Sequence, residues 1–284
     1  MIFWIASYPK SGNTWLRALI SSYYYTNDGV FKENIIKNIG QFPEKKFFSG
    51  FNYDPKIVTD TTRFWIKAQE RINEDHHLRF FKTHNVFGKL NDYDFTDSKN
   101  SIGCIYVVRD PRNVITSIKN HYELNDDQAF KWMLNEKNYI YDVSNLDKDG
   151  YSDFQFISSW SNHYKTWLNS NPFKKILIKY EDLQLNSHNI FRELIKFTND
   201  LLGFDKHIDD KKFTNAIETT NFENLKKEEI KGKFSENVYS DQGKKINFFH
   251  LGFKNKWEKL LPANIRSEAN KQFEKDIKHF NYTT

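Results

Sequence analysis

Lys10, Gly12 and Thr14 fall within the stretch YPKSGNTW, residues 8–15, directly behind an apolar run that begins at Ile2. The order is nearly that of the triphosphate loop G-x-x-x-x-G-K-[ST], with Ser7 in place of the first glycine and Asn13 in place of the lysine. The chemistry of an anion cradle survives both changes. Backbone N–H groups from Ser11 to Trp15 open a helix, and that end carries partial positive charge. Gly12 permits close approach of an anion to the backbone. Lys10 adds a full charge from the strand side. An ordinary strand-to-helix turn with a surface lysine is the plain alternative.

Two further segments bear on which anion is meant. A triphosphate enzyme ends an apolar strand on an acid that holds Mg²⁺. Here CIYVV ends on Arg109 before Asp110, and an arginine suits an anion better than a metal. Positions 110, 114, 117 and 121 share one face of the following helix, so Arg109 and Ser117 can hold one phosphate from two directions. The competing reading pairs Arg109 with a carboxylate and leaves Ser117 to pack. In FFKTHNVFG, Lys82 and His84 alternate about Thr83 and point to one face of a strand. A lysine and a histidine at a strand's carboxyl end suit a general base beside a charge clamp. The chain holds nine histidines, and a histidine by itself is more often structural.

The elements that must position these residues are legible. Short apolar runs at residues 2–7, 102–108 and 175–180, with the more mixed 79–83, read as strands covered on both faces. Helices are expected at 14–25, 111–123, 153–169, 187–202 and 264–280. The second starts well, with Asp110 as cap and Pro111 at the first helical position. Phe156, Trp160, Tyr164 and Trp167 recur at helical spacing and read as core. Alternation of strand and helix implies an α/β fold with a central parallel sheet flanked by helices and ligands at the carboxyl ends of its strands. Residues 26–78 and 221–256 read as long loops with short helices that cover the site. With no repeat or linker, residues 1–284 read as a single domain.

Composition sets the outer limits. Aromatic residues make up 17% of the chain, enough for an unusually aromatic core. A formal charge of +5 permits an anionic ligand, but a nucleic-acid domain would be far more basic. The single cysteine, Cys104, lies in an apolar run and reads as a buried, inert thiol. No stretch approaches the ~18 apolar residues of a membrane span, and the short apolar run at the N-terminus lacks the flanks of a signal peptide. The expectation is a cytoplasmic protein.

Taken together, these segments resemble the sulfotransferases that use 3′-phosphoadenosine 5′-phosphosulfate (PAPS). YPKSGNTW is similar to that family's 5′-phosphosulfate loop, YVVRDPRNVITSI to its 3′-phosphate motif, and FKTH to its catalytic Lys-x-His segment. LIKYEDL and TTNFENLKK resemble the segments beside the adenine. The resemblance implies the family's P-loop-like fold, PAPS as donor, the 3′,5′-bisphosphate PAP as product, and no required metal. It implies His84 as base, Lys10 at the leaving oxygen and Lys82 at the sulfuryl oxygens. Residues Lys10, Ser11, Gly12, Asn13, Thr14 and Trp15 then form the donor loop, with Arg109 and Ser117 at the 3′-phosphate. Trp15, Tyr180, Thr220 and Phe222 fall beside the base.

One segment departs. The family commonly ends on R-K-G-x-x-G-D-W-K, and here the run is HLGFKNKWE. Gly252 and Trp257 remain, whereas His250 and Leu251 replace the Arg-Lys pair and Asn255 replaces the second glycine. Lys254 is the candidate for the missing charge. The acceptor, a small-molecule, glycan or lipid hydroxyl or an amine, is not readable; Phe64 and Trp65 are the first candidates to line its pocket. The oligomeric state stays open, since KFSENVYSDQ matches a known dimer motif only at Lys233 and Val238. Two rivals remain: a Mg²⁺–ATP kinase using Glu181 or Asp182, and a non-catalytic nucleotide- or glycan-binding protein.

Overall fold

A computed structural model describes residues 1–141, 152–232, 238–239 and 245–283. Five parallel strands form the central sheet, in the spatial order Gly40–Gln41, Arg79–Thr83, Ile2–Ser7, Ser101–Val108, Lys174–Lys179. All strands run the same way. The segments that follow Ser7, Thr83, Val108 and Lys179 therefore emerge at one edge. Register confirms it, with Ala6 opposite Thr83, Ser7 opposite Val107, and Val108 opposite Lys179.

Strand Ile2–Ser7 is buried at every position because alternate side chains enter two separate cores. Ile2, Trp4 and Ala6 meet Phe42, Phe81, Phe95, Cys104 and Tyr106 on one face. Phe3 and Ile5 meet Leu16, Leu19, Phe80, Ile105 and Phe191 on the other. Each Ile, Leu or Phe among them contributes about 1.5–3 kcal/mol on full burial. Cys104 is buried, as expected, and burial pushes its thiol well above the usual range.

The outer strand Lys174–Lys179 differs from expectation. It is a sheet edge with Leu177 40% exposed, so it is not covered on both faces. It also ends at Lys179, and Tyr180 opens the short helix Tyr180–Leu185.

Helix Asn13–Tyr24 follows the first loop. Helix Pro111–His121 starts as the sequence suggests, with Asp110 Oδ1 accepting the Arg112 N–H at 2.9 Å. Helix Ser187–Leu202 has the expected bounds and stops at left-handed Gly203.

Two expected helices are broken. The span 153–169 is helical only over Trp160–Asn169; Gln155–Phe156 pairs with Tyr139–Ile140 as a short antiparallel ribbon. Ser158 adopts φ 55, which no helix can continue, and Ser159 caps the helix beyond it. The span 264–280 divides into Ala263–Gln272 and Glu274–His279 at Phe273, whose ring is buried against Trp160 and Phe130.

Residues 26–78 carry three short 3₁₀ turns and the helix Trp65–Asn73. Trp65 is not a pocket residue. It is 1% exposed and meets the Phe95 ring edge-on at 5.3 Å, inside the larger core. Phe64 stacks on Phe51 instead. Most of KFSENVYSDQ lies outside the described residues. Among the described residues, no helix is long and apolar enough to cross a membrane.

Candidate active site

The loop between the first strand and helix has two residues with positive φ, Lys10 at 65° and Gly12 at 101°. Gly12 is required twice over. Its φ disfavours a side chain, and a Cβ there would lie 2.4 Å from Tyr180 Cδ2. Ser11 is fully buried, and its Oγ meets no hydrogen-bond partner among the described residues. Asn13 turns back on the strand, its Nδ2 donating to the Ile5 carbonyl at 3.0 Å and to Ser7 Oγ at 3.2 Å. Asn13 thus ties the loop to the strand. Thr14 is buried in the first turn of the helix.

Arg109 braces this loop from the neighbouring strand. Its Nη1 donates to the Lys10 carbonyl and to Ser117 Oγ, both at 3.0 Å. The guanidinium lies 4.4 Å above the Tyr180 ring, a contact contributing about 0.5–2 kcal/mol. The helix-face argument is met: Arg109 and Ser117 touch. Ser117 also accepts from Asn255 Nδ2 at 3.1 Å and donates to the Asn113 carbonyl at 3.2 Å. Its single donor and both lone pairs are therefore engaged. Asn255 further accepts from Thr116 Oγ1 at 2.5 Å, and the Trp257 N–H donates to Asn113 Oδ1 at 3.0 Å. The divergent C-terminal run is pinned to the helix at two points.

Gly252 adopts φ 53, and a Cβ there would lie 2.6 Å from the Phe222 ring. Trp15 meets Tyr180 edge-on at 5.8 Å. Trp15 and Phe222 both pack against the small core of Ala18, Phe31, Ile36, Leu225 and Phe249. An aromatic wall thus runs from Tyr180 through Trp15 to Phe222. Thr220 ends the preceding helix, fully buried, with its hydroxyl donating to the Ala216 carbonyl at 2.7 Å. Lys254 is exposed on the one-turn helix Gly252–Lys254, and His250 before it is exposed too. One oxygen of Glu181 is committed elsewhere: Oε1 accepts the Asp110 N–H at 3.0 Å, and burial pushes the carboxyl above the ordinary range.

His84 lies one residue beyond its strand. Its Nδ1 is 2.7 Å from the Ser7 carbonyl oxygen. A carbonyl only accepts, so Nδ1 carries the hydrogen and, in the neutral ring, Nε2 keeps the basic lone pair. Lys82 stands half-buried opposite Ile5 in the register. Lys10 Nζ donates to His121 Nδ1 at 3.3 Å and sits 3.8 Å above the Phe248 ring.

Three residues here were given no role by the sequence. His121 had a signal, since it shares the helix face of Asp110 and Ser117. Gln155 Oε1 accepts the His84 N–H and His163 Nε2 donates to the His84 carbonyl across long sequence separations, and neither had one.

An open parallel sheet with a glycine-bent, lysine-bearing loop at its carboxyl edge defines an anion- or nucleotide-binding α/β protein. The chain belongs to the family described as Sulfotransferase domain, which it matches over residues 2–281. It is 23% identical over 251 residues to luciferin sulfotransferase of Photinus pyralis, covering 84% of this chain and 62% of that protein. It is 27% identical over 233 residues to sulfotransferase 1E1 of Bos taurus, covering 78% of this chain and 65% of that protein. The chain thus spans a little under two thirds of the length of these curated relatives. Its fold is similar to retinol dehydratase complexed with androsterone and the inactive cofactor PAP, at TM-score 0.58, 17% identity, and coverage of 98% of this chain and 80% of that one. A mouse sulfotransferase complexed with PAP is alike at TM-score 0.57 and 17% identity, covering 97% of this chain and 83% of that one.

Proposed function

We propose that residues 1–284 act as one cytoplasmic sulfotransferase domain that moves a sulfuryl group from PAPS to a hydroxyl or amine of a small molecule, glycan or lipid. The observation that carries this reading is the 2.7 Å approach of His84 Nδ1 to the Ser7 carbonyl oxygen. That contact puts the hydrogen on Nδ1, which makes Nε2 the basic nitrogen of the neutral ring.

The residues present fit the nucleotide. Ser11 Oγ and Arg109 Nε are buried and unpartnered among the described residues, and at Gly12 the backbone is bare where a Cβ would collide. The amides of Ser11 to Trp15, with Asn13 holding the loop and Thr14 its first helical turn, bind the 5′-phosphate. Arg109 and Lys254 take the 3′-phosphate, and Ser117 joins them by turning its hydrogen from the Asn113 carbonyl to the anion. Trp15, Tyr180 and Phe222 enclose the adenine, with Thr220 and Gly252 shaping its edge. The donor, when bound, supplies a sulfuryl group on a good leaving phosphate.

Chemistry then falls to three side chains. His84 Nε2 takes the acceptor's proton as the acceptor oxygen or nitrogen bonds to sulfur. The bond from sulfur to the 5′-phosphate oxygen breaks, and its electron pair stays on that oxygen. Lys10 stabilises the charge developing there. Lys82 holds the sulfuryl oxygens, which carry less charge than a phosphoryl group and need no metal in this reading. The Mg²⁺–ATP alternative loses its best support because Glu181 caps a backbone amide.

The test is an incubation of the purified protein with PAPS and a panel of phenols, alcohols, sterols and amines, followed by PAP release. Acceptor-dependent PAP release that His84→Ala abolishes is expected. PAP release that His84→Ala leaves at the wild-type rate removes the base from the reading.

A further inference from the structure

The strand carrying Lys82 stops at Thr83, so the sheet ladder offers His84 no backbone partners. Backbone groups this close to the core must be satisfied by something else. Two side chains do it. The His84 N–H donates to Gln155 Oε1 at 2.7 Å, and the His84 carbonyl accepts from His163 Nε2 at 3.0 Å.

Each of these side chains is itself fixed. Gln155 is 1% exposed; its Oε1 also accepts from Thr83 Oγ1 at 3.2 Å, and its Nε2 donates to Ser152 Oγ at 2.6 Å. His163 is 0% exposed. Because the His84 carbonyl can only accept, His163 Nε2 carries the hydrogen. Its Nδ1 therefore takes the hydrogen of the Tyr106 hydroxyl, at 2.7 Å. Burial pushes the His163 imidazole down to about 3, so it stays neutral in this arrangement. Tyr8, at the start of the donor loop, meets the His163 ring edge-on at 5.5 Å. Tyr106 sits on the strand that leads to Arg109. The ordered chain runs Tyr106, His163, His84, Ser7.

We propose that His163 and Gln155 are positioning residues that clamp both backbone groups of His84, holding its ring with Nδ1–H on the Ser7 carbonyl and Nε2 as the acceptor nitrogen. The functional meaning rests on His84 as the base of the proposed reaction. The clamp is a statement about one imidazole and can be read without turnover. Its role is geometric: a displacement of about 1 Å at a reacting group can cost on the order of 10²-fold in rate.

The experiment labels the histidines with ¹⁵N and records long-range ¹H–¹⁵N correlations at neutral pH, with melting curves for every variant. In the wild-type protein His84 should be the Nδ1–H tautomer and His163 the Nε2–H tautomer. His163→Gln keeps an amide donor near the Nε2 position and should hold His84 in its wild-type tautomer. His163→Leu removes the donor and should move the His84 Nδ1 resonance towards the unprotonated position. Gln155→Met removes the other clamp at similar volume and should shift the same resonance, which keeps the test available if the leucine variant does not fold. His84 resonances that coincide with wild type in a folded His163→Leu or Gln155→Met protein would overturn the clamp. A wild-type protein with the expected tautomers but no sulfuryl transfer would instead overturn the functional reading and leave the clamp standing.

Discussion

His84 Nδ1 and the Ser7 carbonyl oxygen lie 2.7 Å apart, while Asn13 Nδ2 reaches Ser7 Oγ at 3.2 Å. One residue at the end of the first strand thus receives both the candidate base and the donor loop. In the proposed reaction the base is thereby placed by the same backbone that bends to hold the anion. His84→Asn retains a donor near the Nδ1 position but has no basic nitrogen. It should lower turnover by about 10²–10⁴-fold while the melting shift caused by 3′,5′-ADP stays near wild type. A variant that keeps full turnover would show that the proton leaves by another route.

In the proposed reaction Lys10 acts on charge that exists only as the sulfur–oxygen bond breaks. Lys10→Ala should therefore cut turnover by roughly 10²–10³-fold, with a smaller loss in nucleotide affinity measured by calorimetry. Equal losses in both would make Lys10 a binding residue only.

Gly12→Ala places a methyl against the Tyr180 ring at a φ of 101°. Strain of this kind costs about 1–3 kcal/mol, to be read from urea unfolding. A variant as stable as wild type would mean the loop relaxes without penalty.

Asn255 stands where the family commonly has glycine and donates to Ser117 Oγ. Asn255→Asp turns that donor into a carboxylate beside the proposed 3′-phosphate site. Affinity for 3′,5′-ADP should fall about tenfold, a loss near 1.4 kcal/mol, with little change for 5′-ADP. Equal losses for the two nucleotides would move the 3′-phosphate away from Ser117.

Burial depresses the His163 imidazole from 6.5 to about 3. Between those values the unfolded chain binds a proton that the folded state refuses. Stability must then fall as pH drops from 6.5 towards 3, by at most about 1.4 kcal/mol per pH unit from this group. Urea titrations at pH 7 and pH 5 should show a weaker pH dependence in His163→Gln than in wild type. Identical dependences would mean that His163 titrates freely in the folded protein.

The sequence was most legible where chemistry and local structure coincide. Asp110-Pro111 announces a helix start through capping, and the apolar runs around Trp4 and Ile105 announce buried strands. The loop glycine and the pairing of Arg109 with Ser117 followed from spacing along one loop and one helix face. What stayed hidden depends on packing between distant segments. Trp65 looks like a pocket residue until Phe95 is seen against it. The helix expected from 153 fails because Ser158 takes a left-handed backbone that frees Gln155 to reach His84. No periodicity signals that break. Asn255 reads as a defect in a motif, yet it docks the divergent run onto the helix that holds Ser117.

The most direct test of a PAPS-type donor site is a comparison of melting shifts with 3′,5′-ADP, 5′-ADP and ATP–Mg²⁺, each at 100 times the dissociation constant measured for 3′,5′-ADP. At that ratio a bound ligand stabilises by about 2.7 kcal/mol. A PAPS-type site should give a clear shift with 3′,5′-ADP without metal, and smaller shifts with the other two. Equal shifts with 5′-ADP, or a larger one with ATP–Mg²⁺, would contradict it.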